Sequence, residues 1–313
     1  MPAAPFGGNM QNGSGAAPAV PNDPAPPNAN PGSQPNTPDN TAMGGSSNTV
    51  GMLEGNGPLP VDPNQMPDIG ENPPPSDPPT LESVLVFTRT TGFRHDSIGA
   101  GVEAIRTLGG ANGFSVEQTE DPTKFSDAGL APFDVVIFLS TTGDVLDPTQ
   151  QAAFERYIRA GGGWVGVHAA TDTEYDWAWY GQLIGNGAYF RSHPAIQPVT
   201  VKVESTAHVS TAHLPATFSF TDELYNFRQN PRSAVTVLMT LDETSYTAGD
   251  GAMGADHPIA WYHEFDGGRA WYTALGHRLE LYQASNVPAL QESFAQYTQH
   301  LLGGIRWAAG VVP

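Results

Sequence analysis

From residue 83 onward, short apolar runs alternate with amphipathic stretches. "SVLVFTR" (83–89) is a β-branched run between a Pro-rich stretch and a Thr-Thr-Gly turn, and it predicts a buried strand. Ser97 then stands as N-cap of a helix with Val102, Ile105 and Leu108 on one face, stopped by Gly109-Gly110. "GFSVEQTE" (113–120) and "FDVVIFLS" (133–140) predict two more strands, the second apolar throughout and so covered on both faces. "DPTQQAAFERYIRA" (147–160) predicts a helix capped by Asp147, with Pro148 at its first position and Gly161 ending it. "GGWVGVHA" (162–169) predicts the fourth strand.

Strands and helices in alternation, with apolar strands, imply a parallel α/β sheet with right-handed crossovers. Past residue 195 the pattern changes. "QPVTVKVE" (197–204), "AVTVLMT" (234–240), "IAWYHEF" (259–265) and "RAWYTAL" (269–275) predict strands. The last two flank Asp266-Gly267-Gly268, a hairpin signal. Residues 288–307 predict a closing helix. The expectation is one domain over 82–310, doubly wound, mostly parallel and carrying some antiparallel strands.

Residues 1–81 break this pattern. They are rich in Pro, Gly, Asn, Ala and Ser and predict a disordered tail, since so few large apolar groups cannot offset the entropy of ordering. The tail suits a tether or spacer. It lacks the basic start, apolar stretch and cleavage site of a signal peptide, and the lipid-accepting cysteine of a lipoprotein. Two localisations stay open: cytoplasmic, or exported to the periplasm or cell surface if translation starts upstream of Met1.

Charge and composition narrow the function. The chain of 313 residues has a formal net charge of −19. Seven of the 32 acids and none of the 13 bases fall before residue 81, so the remainder carries 25 acids against 13 bases, a net −12. Nucleic acid and anionic membrane need a basic patch and are not expected partners. No apolar run is long enough to span a bilayer. With no cysteine, thiolate chemistry, disulfides and Cys-based zinc sites are excluded.

In open parallel sheets ligands bind outside the carboxyl ends of the strands. There the sequence puts Arg94-His95-Asp96 after strand one, Thr142 after strand three, and His168 and Asp172 after strand four. His277 lies just beyond the last hairpin strand, whose direction the sequence leaves open. "YFRSHPAI" adds His193, and "FTDELYNF" adds Asp222, Glu223 and Tyr225. His208, His213, His257, His263 and His300 have no comparable context and are expected to be structural.

Gly166-Val167-His168-Ala169-Ala170 has the form of a nucleophile elbow with histidine in the nucleophile's place. An imidazole there suits a general base or a metal ligand. No local metal motif such as His-Glu-x-x-His is present. A site assembled from His95, His168, His277 and an acid such as Glu223 would suit Zn²⁺ or a similar divalent ion. Gly161-Gly162-Gly163-Trp164-Val165-Gly166 matches Gly-x-Gly-x-x-Gly, but it follows a helix and opens a strand, so no nicotinamide or flavin site is expected. Tyr175, Trp177, Trp179, Tyr180, Tyr189 and Phe190 cluster after His168. They read either as core packing or as a carbohydrate platform, with Trp177 the foremost candidate contact.

The ordered runs "VLVFTRTTGFRHDSI", "FDVVIFLSTTGDVL", "FERYIRAGGGWVGVHAATDTEYDW", "FRSHPAI", "TDELYNF", "HPIAWYHEFDGGRAWYTALGH" and "LLGGIRWAAG" resemble the ThuA-like (trehalose-utilisation) family. The resemblance spans nearly all of 83–310. It implies the flavodoxin-like fold of the class I glutamine amidotransferase superfamily, with His168 in the position of the amidotransferase cysteine. It also implies a link to trehalose and other disaccharides through keto-sugar intermediates.

The functional expectation is an enzyme of hydrolase, lyase or isomerase type acting on a sugar or keto-glycoside. His168, His95, His277, Asp172 and Glu223 are its candidate catalytic residues. Arg94, Asp96, Thr142, Trp177, His193 and Tyr225 are its candidate substrate contacts. His95, His168 and His277 are also its candidate metal ligands. The alternatives are a non-catalytic carbohydrate-binding domain on a flexible stalk and a surface scaffold. The oligomeric state is left open.

Overall fold

The apolar runs become the centre of one nine-stranded sheet. A computed structural model describes residues 80–312, so the tail expected over 1–81 lies almost wholly outside the described residues. The strands β1 (Ser83–Phe87), β2 (Ser115–Thr119), β3 (Val135–Leu139) and β4 (Gly163–Val167) run parallel in the order β2-β1-β3-β4. Every residue of β3 and β4 is buried, as their unbroken apolar character requires. Between them run α1 (Ile98–Asn112), the short α2 (Asp127–Leu130) and α3 (Pro148–Arg159).

Asp147 caps α3 through the main-chain N–H groups of Thr149 and Gln150, and the Gln150 side chain returns to the Asp147 N–H, a complete capping box. Ser97 does not cap α1. It stands at the N-cap position, but its hydroxyl donates to Gly276 O at 3.2 Å. A tertiary contact takes the oxygen that the local pattern assigns to the helix.

The second half of the chain extends the sheet. The strand β11 (Gly268–Thr273) lies against β4, parallel to it. Then come β10 (Pro258–Phe265), β9 (Thr236–Leu241), β6 (Gln197–Val203) and β7 (Thr217–Asp222), each antiparallel to its neighbour. Alternation returns β9 and β7 to the direction of β11, so only β10 and β6 run against the rest. The hairpin turn is Asp266-Gly267, both with positive φ (49° and 95°), the pattern of the turn that matches strand twist. Gly268 is already strand.

Five elements carry no clear signal in the sequence. They are α2, α4 (Ala178–Leu183), the edge strand β7, and a two-stranded ribbon of β5 (Phe190–Ser192) with β8 (Asn226–Phe227). The closing helix α5 (Pro288–Ala308) packs on β4 and β11. That packing explains Gly163, where a Cβ would come within 2.4 Å of Ala308 O. No helix among the described residues is long and apolar enough to cross a membrane.

Candidate functional site

The parallel strands end together, and their last residues set the site. His168 follows β4 directly and opens a 3₁₀ turn over His168–Thr171. Its φ is +51°, a left-handed conformation that a non-glycine residue adopts at a cost of order 1–3 kcal/mol. The sharp turn is thus present, with the imidazole raised on it. Two hydrogen bonds hold it there: Tyr272 Oη donates to His168 O at 2.8 Å, and His168 Nδ1 pairs with Ala274 O at 2.9 Å. A carbonyl only accepts, so Nδ1 carries the proton and Nε2 presents its lone pair.

That lone pair meets three other groups. His95 Nε2 lies 3.2 Å from His168 Nε2, and Glu223 Oε2 lies 3.4 Å from the same atom. His277 Nδ1 is 3.3 Å from Glu223 Oε2 but too poorly aligned to form a hydrogen bond with it. One donor atom from each of the four residues lies within 4.8 Å of all the others. A tetrahedral ion with bonds of about 2.0–2.1 Å needs donors about 3.3 Å apart. Three of the six separations match that edge and the other three lie within 4.8 Å, so the donor set could hold a divalent cation.

Electrostatics follow the geometry. Burial lowers the His95 imidazole to about 3, helped by His168 and His277. Burial alone would raise the Glu223 carboxyl, but His168 and His277 outweigh it and hold Glu223 below the usual range. Burial pulls His277 down, and Glu223 more than compensates, so its net shift is upward. Burial raises the Asp172 carboxyl, although the Tyr175 hydroxyl donates to it. Asp222 is raised by burial as well and accepts from the main-chain N–H of Gly276 and Arg278 at 2.8 and 3.1 Å, anchoring the His277 loop.

The direction of β11, open in the sequence, is parallel to β4, which brings His277 to the common edge. Glu223 arrives from the end of β7, at the far side of the sheet. His193 follows β5 and places Nδ1 3.2 Å from Glu223 Oε1, with its side chain 44 % exposed. Tyr225 is buried with its ring centroid 4.4 Å from that of His168. Thr142 acts through the backbone: its hydroxyl donates to Phe93 O at 2.7 Å and fastens the loop that carries His95.

No hydrogen bond, ion pair or ring contact joins Arg94, Asp96 or Trp177 to the four converging residues. Arg94 pairs with Glu120 at 2.7 Å, and Asp96 is exposed. Trp177 is 8 % exposed, stacks on Trp179 and Tyr180, and donates its indole N–H to Glu155. Two residues beside the site were not singled out in the sequence. Phe93 sets its ring 4.9 Å from His95. His257 bonds Tyr225 O through Nε2 at 2.8 Å and Glu243 through Nδ1 at 2.8 Å. Only Phe93 had a visible signal, as the aromatic in the loop leading to His95.

A cavity of about 590 Å³ lies elsewhere, lined by α2, α3 and the residues that precede β3 and β4. It opens at the amino edge of the sheet and contains none of the converging groups.

A mixed α/β sheet with a buried histidine–carboxylate cluster at its carboxyl edge defines the class. Within it, residues 83–308 match the model of the ThuA family, described as trehalose utilisation, and the chain belongs to that family. No curated protein matches the chain. A crystal structure of a ThuA-like protein from Bacteroides uniformis is similar, with 25% identity and a TM-score of 0.58 over 76% of this chain and 95% of that one. A ThuA-like protein from Parabacteroides merdae shares the fold at 20% identity and a TM-score of 0.56, over 73% and 90% of the two chains.

Proposed function

We propose that this protein is an enzyme acting on a sugar or keto-glycoside, by hydrolysis or elimination, at a divalent metal centre held by His95, His168, His277 and Glu223. The observation that carries the reading is the convergence of four donor atoms within 4.8 Å of one another, three of their separations at the edge a small tetrahedral cation needs. The family's description as trehalose utilisation supports a sugar as substrate. A bound divalent ion would polarise a substrate oxygen. His168 keeps its Nε2 lone pair inward because its Nδ1–H donates to Ala274 O. Asp172 and Glu223 have environments that push their carboxyls in opposite directions, the arrangement that separates an acid from a base. In this reading Asp172, raised by burial, is the candidate proton donor, and Glu223, held low by His168 and His277, is the anionic ligand. Tyr225 and His193 flank the cluster, and Thr142 holds the loop that carries His95.

The test is metal content by mass spectrometry on protein purified without an affinity tag, wild type beside His168→Ala. The expected result is near-stoichiometric zinc or a similar ion in the wild type and its loss in the variant, with turnover of keto-disaccharides lost in parallel. Wild-type protein that holds no metal after incubation with zinc, manganese or iron(II) would overturn the metal centre. Full turnover by His168→Ala would overturn the enzyme reading.

A further inference from the structure

Phe93 is the most exposed of the large apolar side chains among the described residues, at 67 %. An exposed phenyl ring forgoes roughly 1.5–3 kcal/mol of burial. Single exposed apolar residues are common and need no explanation by themselves. This one differs in its mounting and its neighbours.

The backbone under Phe93 is fixed. Its carbonyl accepts from Thr142 Oγ1, and the N–H groups of Thr91 and Gly92 reach Thr142 O at 2.9 and 3.4 Å. Gly92 lies flat on Thr142, where a Cβ would meet Thr142 Oγ1 at 3.3 Å. Two residues on, His95 is buried in the cluster, and Ser97 is tied to Gly276. The chain is thus held on both sides of a side chain left in water. The ring stands at 84° to His95, an edge-on contact. Among the described residues it packs on no other ring.

We infer that Phe93 is the stacking platform for a pyranose ring presented to the cluster, an inference that rests on the sugar reading above. The ring face offers an apolar surface for the C–H face of a sugar, and a rigid aromatic loses little entropy on binding. The excess of acids in the folded part argues against an anionic occupant and suits neutral hydroxyls, which donate to carboxylates. Pockets of this kind pair one apolar wall with a few polar groups that set orientation. Here Phe93 is the wall, and the cluster with Asp172 supplies the polar groups.

The experiment is calorimetric titration of metal-loaded wild type, Phe93→Ala and Phe93→Trp with trehalose, maltose and 3-keto-trehalose, with steady-state kinetics on whichever sugar turns over. Expected is a loss of affinity of 10-fold or more in Phe93→Ala, recovery to within 3-fold in Phe93→Trp, a raised KM with kcat within 2-fold, and unchanged metal content. Unchanged affinity and KM in Phe93→Ala, with the wild type binding sugar, would overturn the platform and leave the sugar reading standing. So would a shift only in self-association. A wild type that retains its metal but binds none of the three sugars would overturn the sugar reading and the platform with it.

Discussion

Two groups of three histidines are built into this domain, and what faces them separates their roles. His95, His168 and His277 aim ring nitrogens at one point with Glu223. His208, His213 and His300 gather around Ser210 and α5, and among the described residues none of them pairs with a carboxylate. His300 Nδ1 donates to Ser210 O at 2.8 Å, and His213 Nε2 donates to Gln296 O at 3.0 Å. His208 Nδ1 accepts from Ser210 N at 3.1 Å. Each ring spends one nitrogen on a local backbone or hydroxyl group and leaves the other buried without a partner, and burial lowers His208 to about 4 and His300 to about 3. Number and burial are alike in the two groups. Convergence on a shared carboxylate marks the ligand-type group, and bonding outward to the local backbone marks the structural one.

The largest effect that separates them is metal affinity. Glu223→Gln keeps the shape and removes the anionic donor, so zinc affinity should fall about 100-fold or more, as read by competition with a chromophoric chelator. His300→Gln should leave it unchanged. Equal losses in both variants would erase the distinction.

The second effect is acid stability, and it belongs to the group around Ser210. In the unfolded chain His300 titrates near 6.5, while in the fold burial lowers it to about 3. Above pH 6.5 both states are neutral and the contribution is full. As pH falls from 6.5 toward 3, the unfolded chain takes a proton that the folded ring refuses, and stability drops. Each such histidine contributes a slope of about 1.4 kcal/mol per pH unit in that window. His300→Gln should therefore flatten the urea-unfolding free energy between pH 6 and 4 by about that slope. An unchanged slope would mean that the folded ring takes up its proton near its ordinary value, and that burial does not exclude the charged form.

The same contrast explains what was legible in the sequence. His95 and His168 follow strands whose apolar runs are continuous, and the rule that ligands gather at carboxyl ends needs only those runs. The elbow at His168 was readable from small residues around it. His277 and Glu223 were nameable as candidates, but their arrival depends on non-local pairings: β11 alongside β4, and β7 at the far edge. A strand such as "TFSFTD" is short, half exposed and poor in aliphatic residues, so nothing local announces it. Trp177 fails in the opposite way. Its spacing after His168 suited a binding platform equally well, and only packing against Phe154 and Trp179 turns it inward. Ser97 lost its cap to Gly276 for the same reason: tertiary partners outbid local pattern where both reach one hydroxyl.

The smallest effect tests how the converging group is held. Tyr272 is buried under the elbow, donating to His168 O while its oxygen lies 3.1 Å from Thr171 Oγ1. Tyr272→Phe removes both bonds without opening a cavity and should cost about 1–2 kcal/mol in urea unfolding. The left-handed turn at His168 is also held by the Ala274 contact and by the Ser140 N–H to Val167 O at 3.1 Å, so zinc affinity should stay within about threefold. If affinity instead falls as far as in Glu223→Gln, the strained φ at His168 is maintained chiefly by that one hydroxyl. The ligand-type group would then depend on a single outward bond, and the two groups of histidines would differ less than their carboxylate implies.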